Sequence, residues 1–168
     1  MKMKTPQKHP FEPIVFKDTE ILILGSFPSI QSFEKNFYYA HPRNQFWKIL
    51  ETITAYPTLN KDQKIWLLKE MKFGLWDMVS ECHRDNSLDS NLEQEEVNDI
   101  ALFLQTHPSI KKLAFTGKKA QKLFEKYFAD LKIEKIYLPS PSSAHAALTF
   151  EEKAKIYQEK LLKKTDQR

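Results

Sequence analysis

The sequence predicts an α/β fold: a three-layer α/β/α sandwich around a central, mainly parallel four-stranded sheet. Three observations carry this. Strand-length runs with an apolar centre recur at residues 20–25, 73–79, 110–115 and 134–138. Amphipathic helical patterns separate them, and strands that alternate with helices pair in parallel with helices on both faces. Finally, three segments rich in polar residues, glycine or proline each follow one of these runs. A parallel sheet gathers such segments at one edge, where ligands of open α/β sheets bind.

In chain order, residues 1–13 hold three prolines, three lysines and a histidine, and are expected to form a poorly ordered arm. Residues 14–163 should form one domain, and residues 164–168 a basic tail. Pro42 suits the first turn of a helix running to about Tyr56, with Phe46, Ile49, Leu50 and Ile53 on one face. Asn60 is a candidate cap for a second helix that buries Ile65, Leu68 and Met71. Val97, Ile100, Ala101 and Leu104 mark a third. Gly117 opens a fourth with Ala120, Leu123, Phe124 and Tyr127 inward. Thr149-Phe150-Glu151-Glu152 is a capping box for the last, whose apolar positions are Phe150, Ala154, Tyr157 and Leu161.

Composition narrows the function classes. With 168 residues, 41% of them hydrophobic, and 21 aromatic residues, the chain can bury a core, which excludes a disordered protein. Its single cysteine excludes an internal disulfide framework and cannot supply the thiolates of an iron–sulfur cluster. No His, Asp and Glu cluster shows ligand spacing, so neither a metal nor a cofactor is expected. No apolar run approaches the roughly 20 residues that span a bilayer, and a cytoplasmic protein is expected. The formal charge of +4 and pI of about 9.0 favour a polyanionic partner.

The motifs say more. The apolar run Ile21-Leu22-Ile23-Leu24 stops at Gly25-Ser26-Phe27-Pro28-Ser29, where a glycine lets backbone approach a bound group. Tyr38-Tyr39-Ala40-His41-Pro42-Arg43-Asn44 follows, with two phenols, an imidazole, a guanidinium and an amide in seven residues. Such a cluster suits a pocket that stacks a flat, polar ligand. Phe73-Gly74-Leu75-Trp76-Asp77 leads into Cys82-His83-Arg84 and Ser87-Leu88-Asp89-Ser90. Phe115-Thr116-Gly117-Lys118-Lys119-Ala120 and Leu138-Pro139-Ser140-Pro141-Ser142-Ser143-Ala144-His145-Ala146 come after the third and fourth strands. Trp76 reads as core. Asp77 on a strand needs a partner, for which Arg84 is the candidate, and Cys82 reads as a small buried hydrophobe.

These blocks, in this order, resemble the uracil-DNA glycosylase superfamily. Within it they are most similar to the hypoxanthine- (deoxyinosine-) DNA glycosylase branch, related to the mismatch-specific uracil/thymine glycosylases. The resemblance runs from about Lys17 to Leu162. It implies a repair enzyme that flips a deaminated base out of double-stranded DNA and hydrolyses its glycosidic bond without a cofactor, acting as a monomer. Hypoxanthine is the implied substrate; uracil or a G·T or G·U mismatch is the alternative within enzymes. A non-catalytic nucleic-acid-binding module of the same fold is the alternative outside them.

The resemblance also implies site residues. Mismatch-specific members place a water-positioning Asn after the first strand, where this chain has Phe27, so Asn44 takes that role. An amide oxygen can orient water and support an oxocarbenium-like transition state. Alternatively, Asn44 only orders the first helical turn. Gly25, Ser26, Phe27, Tyr39 and Thr116 would form the base pocket. Ser26 and Phe27 would offer backbone N–H groups, and Phe27 is either pocket wall or core. Tyr38 is a less certain stacking partner than Tyr39. His41 either donates to the departing base or caps a helix. Arg43, Gly117, Lys118, Lys119, Ser140, Pro141, Ser142, Ser143 and His145 would meet DNA, the proline-serine loop from the minor groove. The branch has Asn where Thr116 stands and Ala-Asn-Ala in place of Ala144-His145-Ala146, which touches base selectivity and even activity.

Overall fold

The computed structural model describes residues 6–8, 12–27, 37–83 and 93–162. In chain order its elements are β1 (Pro6–Lys8), β2 (Ile21–Gly25), α1 (Phe46–Thr54), α2 (Lys61–Met71), β3 (Phe73–Asp77), β4 (Val79–His83), β5 (Glu93–Val97), α3 (Ile100–Thr106), β6 (Lys112–Thr116), α4 (Lys118–Phe128), β7 (Glu134–Leu138) and α5 (Phe150–Leu161). The central sheet has the order β3-β2-β6-β7 with every pair parallel.

Strand alternation divides the core. Ile21, Ile23, Phe73, Leu75, Ala114 and Ile136 face a layer made of α1, α2 and α5. Leu22, Leu24, Leu113 and Phe115 face the other, with α3 and α4. The fold is therefore the three-layer sandwich that the alternating pattern predicts. Leu22, Ile23 and Leu24 are fully buried, each burial contributing about 1.5–3 kcal/mol. That explains why the central strand reads as an unbroken apolar run.

Five details differ from expectation. The run at 73–79 is two strands. After Asp77 the chain leaves the parallel sheet: the N–H groups of Met78 and Val79 donate to the carbonyls of Gly25 and Ser26. From Val79 it pairs instead with β5 and β1, in a three-stranded antiparallel sheet of order β1-β4-β5. That sheet takes up Pro6–Lys8, three residues of the arm expected to be poorly ordered. Val97, expected in the third helix, ends β5; α3 starts later because Asp99 Oδ1 accepts the Leu102 N–H at 3.0 Å. Helix α1 starts at Phe46, four residues beyond Pro42, and stops where Ala55 turns left-handed. Tyr127, expected inward, is 41% exposed.

The other caps match. Asn60 Oδ1 accepts the Gln63 N–H at 2.8 Å. Thr149 and Glu152 form the reciprocal capping box. Trp76 is half-buried against Phe103, their centroids 4.6 Å apart. Arg84 and Ser87 to Ser90 lie outside the described residues, as do Pro28, Ser29 and the Cys82 side chain.

Candidate functional site

The last residues of three parallel strands make one polar row. Gly25 pairs in register with Asp77, and Thr116 ends the neighbouring strand. A Cβ on Gly25 would lie 2.6 Å from Asp77 Oδ1, 3.0 Å from Tyr39 Oη and 3.4 Å from Thr116 Oγ1. Three oxygens thus crowd the Gly25 backbone, and only glycine fits between them. The hydroxyls of Tyr39 and Thr116 are 2.9 Å apart, and Thr116 also donates to the Leu24 carbonyl at 3.4 Å. Asp77 is buried, close enough to Tyr38 for its charge to act there.

The aromatic block hangs over this row. Tyr39 takes φ 54°, a left-handed conformation that costs a non-glycine residue of order 1–3 kcal/mol and collects at functional sites. In return its ring stacks on Phe46, with centroids 4.0 Å apart. Tyr38 is buried; its hydroxyl donates to the Glu12 carbonyl at 3.0 Å. Burial, and then the charge of Asp77, push its phenol far above the ordinary range, so it stays neutral. Of the two tyrosines, Tyr38 is the one built into the core. The Trp47 indole N–H donates to the Tyr38 carbonyl at 2.9 Å and fixes this segment on α1.

Residues 41–44 form a tight turn closed by the Asn44 N–H donating to the His41 carbonyl at 2.9 Å. The Arg43 N–H donates to His41 Nδ1 at 3.0 Å. In the neutral ring the proton then sits on Nε2, which becomes the outward donor. Asn44 Oδ1 accepts the Phe46 N–H at 2.9 Å. The helix-ordering role that the sequence allowed for Asn44 is therefore real. It also locks the amide, and a carbonyl oxygen retains a second lone pair.

Tyr39, His41 and Asn44 line one cavity of about 630 Å³ with Phe37, Trp47 and the start of α2. Lys48, Lys61 and Lys64 line it too. Lys64 lies over the Phe37 and Trp47 rings, 5.8 and 5.4 Å from their centroids, and burial lowers its pKa. Sequence reading missed these lysines. Their signal was weak: each sits on a helix where a solvated charge is ordinary.

On the far side, Gly117 takes φ 107° and packs against Ser140, whose Cβ would lie 3.3 Å from an added Cβ. Lys118 and Lys119 occupy the first turn of α4, which has neither an acidic residue nor a side-chain cap. Cations there oppose the helix dipole, whereas an anion would suit it. The Ser142 N–H donates to the Ser140 hydroxyl, and the Ala144 N–H to the Ser142 hydroxyl, both at 3.1 Å. The His145 N–H donates to the Ser142 carbonyl at 3.0 Å. Pro141 is buried and Ser143 exposed.

The structure thus brings Gly25, Tyr39 and Thr116 together, and sets His41, Arg43 and Asn44 on the adjoining turn. Ser140 meets Gly117 across the rim. Phe27 goes elsewhere: its ring is buried in the core layer with Met78, Ala120 and Phe124. Ser26, likewise buried, lies beside it in the chain.

The chain is similar to known proteins. A model of the "Uracil DNA glycosylase superfamily" matches residues 13–162. A protein of Methanosarcina barkeri (strain Fusaro / DSM 804) named hypoxanthine DNA glycosylase is 36% identical over 116 residues, 68% of this chain and 73% of that one. One of the same name from Methanosarcina acetivorans is 34% identical over 140 residues, covering 82% and 88%. A solution NMR structure from Methanosarcina acetivorans, described as a candidate uracil DNA glycosylase, superposes with TM-score 0.77 at 30% identity, covering 92% of this chain and 98% of that one. Matched over residues 13–162, which hold the strand-end row, the aromatic block and the proline-serine loop, the chain belongs to the uracil DNA glycosylase superfamily.

Proposed function

We propose that this protein is a DNA glycosylase that hydrolyses the N-glycosidic bond of deaminated bases, with hypoxanthine in DNA as its substrate. The observation that carries the reading is the turn at 41–44, which sets an orientation-locked amide and a histidine donor on one cavity wall beside Tyr39. Two relatives bearing the hypoxanthine name support the choice of base.

The chemistry follows from what each group can do. Asn44 holds the attacking water with its free lone pair and steadies positive charge on the sugar as the bond breaks. Hypoxanthine leaves with electron density on its ring nitrogens and O6. His41 Nε2–H is a donor suited to that charge, while the hydroxyls of Tyr39 and Thr116, bonded to one another, line the pocket floor. The ring of Tyr39 stacks the extruded base, and the Ser26 and Phe27 backbone, next to Gly25, edges it. Arg43, Lys118 and Lys119 take phosphates; Gly117 and Ser140, Ser142, Ser143 and His145 hold the opened duplex, while Pro141, expected to meet DNA, is buried and supports the loop from beneath. The chain is expected to act as a monomer.

Among the described residues no three His, Cys, Asp or Glu side chains converge as a metal site, and no helix is long and apolar enough to cross a membrane. Cleavage is expected to proceed unchanged in excess EDTA.

The test is cleavage of duplexes carrying inosine, uracil or a G·T pair, with abasic sites opened by alkali. Breaks at inosine are expected. Breaks confined to uracil or to thymine opposite guanine would reassign the substrate. DNA binding without any break would make the protein a binding module.

A further inference from the structure

The fully buried side chains include one lysine. Lys153 lies in the first turn of α5, 1% exposed, between Phe150 and Tyr157 on the helix face that carries Ala154 and Leu161 into the core. A buried ammonium is costly unless its hydrogen bonds are satisfied. Here Nζ donates to Gln45 Oε1 at 2.9 Å and to the Ser142 carbonyl at 3.0 Å. Both acceptors are neutral, and loss of hydration lowers the Lys153 pKa. A methionine could fill the same space without that penalty, so the two hydrogen bonds themselves are what the lysine adds.

The acceptors belong to two separate parts of the site. Gln45 follows Asn44 and is the N-cap of α1, with no side-chain cap of its own. Ser142 is the middle of the loop at 139–146, whose carbonyl at 142 also receives the His145 N–H. A backbone bond reinforces the link, with the Gln45 N–H donating to the Pro141 carbonyl at 2.8 Å. Below it, the buried Tyr157 hydroxyl donates to the Pro139 carbonyl at 2.7 Å. Helix α5 therefore grips the loop at two carbonyls and the turn at one amide.

We infer that Lys153 is a positioning residue: it clamps the turn carrying Asn44 to the proline-serine loop, so that holding the duplex open and placing the water are one mechanical event. The functional half of this rests on the glycosylase reading above. A loop that engages DNA pulls, through Lys153 and Gln45, on the first turn of the helix that orients the Asn44 amide. A shift of about 1 Å in such a group costs on the order of 100-fold in rate.

The test uses the full chain as Lys153→Met, Lys153→Arg and Gln45→Leu, and the double variant Lys153→Met with Gln45→Leu. Single-turnover cleavage is measured on inosine in duplex and in single strands, beside hydrogen exchange of the peptides spanning 41–46 and 139–146. Lys153→Met should slow duplex cleavage about tenfold or more and single-strand cleavage much less, because only the duplex must be held open. Exchange should quicken in both peptides. Lys153→Arg should recover most of the loss. Gln45→Leu should reproduce it, and the double variant should be no worse than either single one, as expected for two members of one contact. Should Lys153→Met not fold, the Arg and Gln45 variants decide alone. Equal losses on both substrates, additive losses, or quickened exchange in only one peptide would overturn the clamp. Coupled exchange in a wild-type protein that cleaves nothing would keep the clamp and refute the glycosylase reading instead.

Discussion

Two loops form the rim of the site, and they are held by opposite means. Residues 37–45 are fixed by large rings: Phe37 stacks on Trp47, Tyr39 on Phe46, and Tyr38 is buried. Residues 139–146 place no aromatic ring in the core. Serine hydroxyls fold the loop on itself, and single bonds from Lys153 and Tyr157 tie it down. Burying aromatic surface can offset the strain of Tyr39 and hold side chains in defined positions. Hydroxyl-to-backbone bonds instead stiffen a main chain while adding little side-chain entropy to lose. The first loop is suited to chemistry, the second to grasping a backbone. The proposed mechanism divides its labour along that line.

The sharpest way to break the comparison is to remove chemistry from the first loop while leaving its packing. Asn44→Ala deletes an amide that makes one cap hydrogen bond. Stability should fall by roughly 0.5–2 kcal/mol, the usual effect of losing a cap. Single-turnover cleavage should fall by about 100-fold or more, with DNA affinity nearly intact. Wild-type turnover would acquit Asn44 and turn attention to His41 or Asp77.

Next comes the row beneath the rings. In Gly25→Ala, the new methyl meets Asp77 Oδ1 at 2.6 Å and Tyr39 Oη at 3.0 Å, so both must move. Overpacking of this kind costs about 1–3 kcal/mol, read as a fall in the thermal midpoint. Because Tyr39 shares its hydroxyl contact with Thr116, cleavage should drop about tenfold as well. A variant as stable and as active as wild type would show that the row yields easily and does not shape the pocket.

How much of this was legible in sequence differs between the same regions. The central parallel strand announces itself because burial on both faces forces a continuous apolar run, Ile21-Leu22-Ile23-Leu24, and its neighbours keep at least an apolar centre. The antiparallel sheet does not. Glu93-Gln94-Glu95-Glu96 carries no apolar alternation, and its strand is set by pairing with a distant segment. The start of α1 misled because Pro42 is a good first-turn residue, yet the chain still turns at 41–44 and the helix begins only after Gln45, where Asn44 Oδ1 accepts the Phe46 N–H. The left-handed Tyr39 leaves no trace in composition, since no glycine or asparagine marks it. Lys153 left one that was overlooked: it lies four residues before Tyr157 and eight before Leu161, on the apolar stripe of α5.

The second loop should fail more gently than the first. Ser143→Ala and His145→Ala remove exposed or half-buried side chains without touching the hydroxyls that fold the loop. Cleavage of a paired lesion should slow several-fold, about threefold to tenfold, while a lesion in a single strand, with little left to unstack, is hardly affected. Equal loss on both substrates would mean that the loop serves the fold alone.

The smallest expected effect tests where the duplex lies. Arg43 sits on the first loop, while Lys118 and Lys119 begin α4 next to the Gly117–Ser140 contact of the second. If each neutralises one phosphate, replacing it by alanine should reduce the slope of log affinity against log salt by about 0.9, with affinity falling alike for damaged and undamaged DNA. The two loops then report separately. A reduced slope only in the lysine variants would lay the duplex along the proline-serine side, and a reduced slope only in Arg43→Ala would lay it over the aromatic side. Lys48, Lys61 and Lys64, on the cavity wall beyond Asn44, give the counter-check. If their variants alone lost slope, DNA would approach across that wall, and the division between a loop for chemistry and a loop for grasping would fall.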